Sequence, residues 1–201
     1  MNIIKPDKKN PYIKNAKVAL SLLLVFIFSI QMVFGQQMNV LNWEELPELP
    51  SLSGQADNYG VAGAFSGIHN GALIVAGGAN FPEPRWESDK EWHSNIWVLP
   101  LGEENNDWMN AGNLDHPMAY GSSVMTEYGL LCMGGNSSNS VYSEVFLLQW
   151  NPEEQKITRT DLPSLPEPCA YGSAAFYEDR VYLAGGSSEN DPTKAMKNFW
   201  M

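Results

Sequence analysis

Residues 80–93 of this 201-residue chain, NFPEPRWESDKEWH, set Arg85, Glu87, Lys90 and His93 among Phe81, Trp86 and Trp92. Aromatic faces suit an apolar ligand surface, and a planar guanidinium meets a carboxylate through two parallel hydrogen bonds. Arg85 is therefore the first choice for holding a carboxylate, and Lys90 the second. Glu87 and His93 are the groups in this stretch that could carry a proton. Loops on rigid scaffolds often bear such residues. The plain alternative is a solvated connection with its aromatics tucked against a sheet edge, its lone His and Glu being structural or simply exposed.

Tyr120 and Tyr171 each precede a glycine where a strand begins. Their hydroxyls could bond a ligand, or their rings could pack between sheets. His69 falls in a tight turn and His116 in a corner, and neither stands at metal-ligand spacing from another His or Cys. No nucleophile elbow, phosphate-cradling loop or nucleotide fingerprint is present. No metal and no cofactor is expected.

The elements that must position these residues come from a repeat. Residues 60–78, GVAGAFSGIHNGALIVAGG, read as a strand at 61–68, an Asn70-Gly71 turn, a second strand at 72–76 and a closing Gly77-Gly78. Residues 119–135 and 170–186 repeat the order of small residues, strand, polar turn, strand and double glycine. The steps from Gly78 to Gly135 and from Gly135 to Gly186 are 57 and 51 residues, a period that points to an all-β, kelch-type β-propeller with one four-stranded blade per repeat. Third strands are expected at 94–99 and 141–150, and outer strands at 108–114 and 157–166. Residues 40–50 read as a further outer strand that would close the ring onto its last blade. The repeats fall near 60–110, 119–160 and 170–201, the last breaking off inside a third strand at 198–201. That reads as about two full blades, a partial third and an N-terminal closing strand, the N-terminal part of a longer protein.

Residues 1–35 have the layout of a secretory signal peptide: Lys5, Lys8, Lys9, Lys14 and Lys17, an apolar run at 18–30, and a small-residue exit at Gly35. The alternative is an uncleaved anchor. Cleavage would place the protein in a bacterial periplasm or outside the cell, with 36–201 as the propeller. Losing the leader's five lysines and Asp7 leaves 7 basic and 22 acidic side chains and moves the net charge from −11 to −15. Such a surface repels nucleic acid and anionic lipid, so neither nucleic acid nor, after cleavage, a membrane is an expected partner. Cys132 and Cys169 could form a disulfide between adjacent blades or remain two separate buried thiols.

Beyond a generic kelch pattern, residues 60–81, GVAGAFSGIHNGALIVAGGANF, resemble the sialic acid mutarotases (N-acetylneuraminate epimerases), which are secreted bacterial kelch propellers. The resemblance runs from about Trp43 to Gly186, through Ala119-Tyr120-Gly121 and Gly134-Gly135, and its motif order is similar to that of the family's cyclically permuted branch. It implies an isomerase that interconverts the α and β anomers of N-acetylneuraminate with neither metal nor nucleotide. The substrate would be a small-molecule sugar acid, with Arg85, Lys90, Trp86, Trp92, Tyr120 and Tyr171 as candidates for binding it. The family's acid/base carboxylate falls in a blade that the permuted order places after residue 201, so it maps onto no residue here. A non-catalytic secreted kelch module that binds glycan or protein is the alternative, since propellers host both functions.

Overall fold

The computed structural model describes residues 41–52, 59–102 and 107–201. The expected leader and most of the acidic turn at 103–107 lie outside the described residues. The chain divides into two units, Met1–Glu45 and Leu46–Met201, and every strand among the described residues belongs to the second.

Strands β1 (Phe65–His69) and β2 (Ala72–Ala76) form a hairpin in register from Phe65↔Ala76 to His69↔Ala72. Its turn residues Asn70 and Gly71 sit at φ 47° and 73°, the left-handed pair whose twist matches that of the flanking strands. The chain then makes a two-residue ribbon, β3 (Ala79–Asn80) with β4 (Glu91–Trp92), before β5 (Asn95–Pro100) and β6 (Met109–Asn113) complete the antiparallel sheet β1-β2-β5-β6. The second sheet is β7 (Ser122–Thr126), β8 (Gly129–Met133), β9 (Val145–Asn151) and β10 (Lys156–Leu162), and the third is β11 (Ser173–Tyr177), β12 (Arg180–Ala184) and β13 (Phe199–Trp200). Each is an up-and-down meander in sequence order, so the described residues hold two complete kelch-type propeller blades and three strands of a third.

The blades stack because the central ones are apolar on both faces. On one face of the second blade Leu130, Cys132, Phe146, Leu148 and Trp150 pack with Phe65, Ile74, Ile96 and Val98 of the first. Phe65 meets Phe146 edge-on, centroids 5.7 Å apart. On the opposite face Leu131 and Met133 pack with Val145, Leu147 and Val181. All five residues of β8 are consequently buried, whereas β12, in the third blade, buries Leu183 alone.

Two readings need correcting. Residues 40–50 were expected to form an outer strand, but the described part, 41–50, carries none. Pro47 and Pro50 supply no ladder donors, and the Pro47 carbonyl instead accepts a 2.9 Å bond from the Trp108 indole. Residues 80–93 are less of a loop than expected, because pairing of Ala79 with Trp92 and Asn80 with Glu91 closes the base. Of the two states left open for Cys132 and Cys169, the structure has the separate buried thiols.

A charge cluster that the sequence did not announce joins the outer parts of the first two blades. The Arg159 guanidinium reaches Asp115 at 3.0 Å, Glu144 at 3.1 Å and Asp161 at 2.8 Å, and lies over the Phe146 ring at 4.1 Å. His116 meets the other Glu144 oxygen at 2.7 Å. Arg159→Met keeps a cover over Phe146 but leaves three carboxylates gathered without their cation. It should destabilise the fold by about 2–3 kcal/mol, read as a lower urea midpoint at unchanged m-value; an unmoved midpoint would show that the cluster contributes nothing.

Candidate functional site

In a meander the connections after second and fourth strands emerge at one end of the sheet, away from the hairpin turns. Residues 77–94, 134–144 and 185–198 therefore share an end with the blade-to-blade connections 114–121 and 163–172. At this end the blades are sewn by a repeated backbone pattern. The Tyr120 N–H donates to the Gly63 carbonyl and the Tyr171 N–H to the Tyr120 carbonyl, both at 2.7 Å. One step outward, Gly78 donates to Met118 and Gly135 to Cys169, at 2.9 and 2.8 Å.

This pattern sets the tyrosines. Tyr120 and Tyr171 stand at φ 59° and 62°, a region that costs a non-glycine residue about 1 kcal/mol or more and that recurs at functional sites. Their rings lie 5.1 Å apart. Gly63, the equivalent position in the first blade, leaves room for the Tyr120 ring: a Cβ there would come within 2.4 Å of it.

Over the Tyr120 ring, at 5.0 Å, lies the ammonium of Lys90, which also faces Trp92 at 5.4 Å and Phe81 at 5.6 Å. Such distances are within cation–π reach. The β3–β4 ribbon places Trp92 for this, with its indole N–H on Asn136 Oδ1 at 3.1 Å. Asn136 in turn donates from Nδ2 to the Tyr171 hydroxyl at 2.8 Å. Among the described residues no carboxylate forms an ion pair with Lys90. Beside it opens a cleft of about 450 Å³ that Trp92, Ser137 and Tyr142 help to line.

The other candidates sit differently. Arg85 pairs with Glu83 at 3.0 Å, lies over Tyr59 at 5.4 Å, and edges a separate cleft of about 370 Å³ that reaches Phe81 and Tyr120. Trp86 is 99% exposed, and Glu87 is exposed in the turn after Pro84, its N–H bonded to the Pro84 carbonyl. His93 is partly buried, with Nε2 2.8 Å from Asn80 Oδ1. Asn80 Nδ2 donates to the Gly60 carbonyl, so Asn80 presents its oxygen to His93, and the neutral imidazole carries its proton on Nε2. The structure thus gathers Lys90, Trp92, Tyr120 and Tyr171, sets Arg85 to one side of Tyr120, and leaves Trp86 and Glu87 outside the cluster. Sequence reasoning missed Asn136; a polar residue directly after Gly134-Gly135 was the available signal. Among the described residues no group of three or more His, Cys, Asp or Glu is placed to hold a metal ion.

Burial lowers His93 below its ordinary value of 6.5, against an opposing pull from Glu91, and lowers His69 likewise. His69 Nδ1 accepts the Trp150 N–H at 3.0 Å, a bond that protonation on Nδ1 would break. Below about pH 6.5 the unfolded chain takes up protons before the folded one does, so this stability is complete above that pH and is lost as pH falls toward the folded values. The thermal midpoint should decline from about pH 7 to 5, and His93→Gln should remove part of that decline. A slope unchanged by that variant would contradict the assignment.

A sequence-family profile described as N-acetylneuraminate epimerase matches residues 29–157. The N-acetylneuraminate epimerase of Yersinia pestis (strain Pestoides F) is 34% identical over 127 residues, covering 57% of this chain and 31% of that protein. That of Brucella melitensis biotype 1 is 34% identical over 122 residues, covering 55% and 30%. The solved structure of YjhT overlays with a TM-score of 0.47 at 15% identity, covering 63% of this chain and 34% of that one. The chain spans about a third of the length of the curated relatives it matches, 31% for the Yersinia protein.

Proposed function

Because the chain belongs to the N-acetylneuraminate epimerase family, we propose that it contributes the sugar-acid-binding end of a sialic acid mutarotase of the cyclically permuted branch, secreted to the periplasm or beyond. The observation that carries this reading is the Lys90 ammonium, held over three aromatic rings beside an open cleft. In a protein of net charge −11, a cation without an ion pair is the strongest local attraction for a carboxylate.

Mutarotation requires one group to take the proton of the anomeric hydroxyl and another to give a proton to the ring oxygen. The ring C–O bond then breaks, the anomeric carbon becomes a carbonyl, the new carbonyl face rotates, and reclosure reverses both proton transfers. In N-acetylneuraminate the anomeric carbon also bears the carboxylate. Lys90 would fix that carboxylate, while Trp92 and Tyr142, which line the same cleft, present aromatic surface to the sugar. Of the two proton-transfer candidates, His93 is the better suited: burial keeps it neutral near pH 7 and leaves Nδ1 free of the Asn80 bond.

Calorimetric titration with N-acetylneuraminate and, separately, with the neutral sugar N-acetylmannosamine tests the binding half of this reading. Binding of the acid in preference to the neutral sugar is expected. Equal binding of both, or none, would overturn it.

A further inference from the structure

We infer that Asn136 is a positioning residue that fixes the direction of the Tyr171 hydroxyl, so that Tyr171 offers its proton to an acceptor oxygen of the bound sugar acid. This rests on the sialic acid reading above. An indole N–H can only donate, so the Asn136 oxygen must be the atom facing Trp92 at 3.1 Å. The amide nitrogen therefore faces Tyr171 at 2.8 Å. An amide nitrogen has no lone pair to offer, so the phenol oxygen accepts and its own proton points elsewhere. Among the described residues no group accepts that proton.

The blade does not require an amide at this position. In the repeated bridge that opens each inner strand, Ala62 pairs with Ala79, Ala119 with Asn136 and Ala170 with Ser187. Alanine and serine thus fill the same backbone role in the first and third blades. The Asn136 side chain is nonetheless 99% shielded, its residue exposure being 1%, and both of its polar ends are bonded. It links the ribbon of the first blade, which carries Lys90, to the start of the third, which carries Tyr171. Lys90 and Tyr171 lie 5.0 and 5.1 Å from one ring, that of Tyr120. A sugar acid held by its carboxylate at Lys90 would have the Tyr171 O–H as a neutral donor for another of its oxygens.

Asn136→Asp reverses the polarity with almost no change of shape. One oxygen still accepts from Trp92, while the other, ionised, draws the Tyr171 proton inward and away from the ligand. The test uses the chain labelled with carbon-13 at tyrosine Cζ, whose shift reports whether a phenol donates or accepts. In the ligand-free protein the Tyr171 signal should move in the Asn136→Asp variant at neutral pH. It should return toward its wild-type position as acid protonates the new carboxyl, with the Trp92 indole signal as a check of folding. Affinity for N-acetylneuraminate should fall about tenfold in Asn136→Asp and in Tyr171→Phe, and no further in the double variant. A Tyr171 signal indifferent to Asn136→Asp, or affinity losses that add, would overturn the proposal. Should Asn136→Asp not fold, Tyr171→Phe alone decides, since unchanged affinity overturns the donor role. A wild-type chain that binds no sialic acid, with the Cζ response intact, would defeat the functional reading and leave the Asn136–Tyr171 polarity standing.

Discussion

Lys90→Met should lower affinity for N-acetylneuraminate by roughly 10- to 100-fold, whereas Arg85→Met should change it little. A hydrogen bond to a charged partner contributes about 1.5–3 kcal/mol, and that range sets the size of the loss. Methionine keeps an unbranched stem beneath Phe81, Trp92 and Tyr120, so the aromatic surface survives and only the charge is removed. Arg85 is the better carboxylate ligand by shape, yet its guanidinium already pairs with Glu83 at 3.0 Å and its side chain is 53% exposed, a setting in which a further ion pair contributes little. Titration calorimetry at fixed ionic strength separates the two variants. A larger loss for Arg85→Met would move the carboxylate to the cleft beside Tyr59.

Gly134→Ala should cost about 4 kcal/mol or more and abolish cooperative folding in a chain of ordinary stability. Two penalties coincide at this residue. Its φ of 62° lies in the left-handed region, and a Cβ would come within 2.0 Å of the Cys169 carbonyl oxygen. A backbone carbonyl cannot swing aside as a side chain can, and this one accepts the seam bond from Gly135. Gly77 is in the same position against Met118, at 2.3 Å. Gly71→Ala is the control, with φ 73° and nothing within 4 Å; backbone strain alone should cost it about 1–2 kcal/mol. Gly185, at φ 68° with nothing within 4 Å, should behave like Gly71. Urea unfolding of the variants checks the order, and a Gly134 variant no worse than the Gly71 one would contradict the seam as described.

The hairpins were legible because they are local. Apolar stretches, polar turns and a double glycine located β2 at 72–76 and β1 within four residues of its observed start, and placed the β7–β8 and β11–β12 hairpins within 119–135 and 170–186; the recurrence of the set gave the blade. Where the sequence misled, a nonlocal partner or a missing donor decided. Residues 40–50 have the apolar content of a strand, yet Pro47 and Pro50 cannot serve a ladder. The pairing of Arg85 with Glu83, two residues earlier, was likewise not foreseen. The Arg159 cluster draws on positions 115, 116, 144, 159 and 161, brought together only when two blades stack, and no spacing in the chain foretells it. Lys90, Trp92, Tyr120 and Tyr171 were singled out by residue type, and the structure brings them together. Their convergence depends on the β3–β4 ribbon and on Asn136, both products of blade geometry.

The central claim, that this protein serves the interconversion of sialic acid anomers, is tested most directly by proton NMR. The quantity is the rate at which the α anomer of N-acetylneuraminate relaxes to β, measured with the protein as its whole gene encodes it. Acceleration, reduced by Lys90→Met, is the predicted result. A folded protein that leaves the spontaneous rate unchanged would contradict the account and put a non-catalytic binding module in its place.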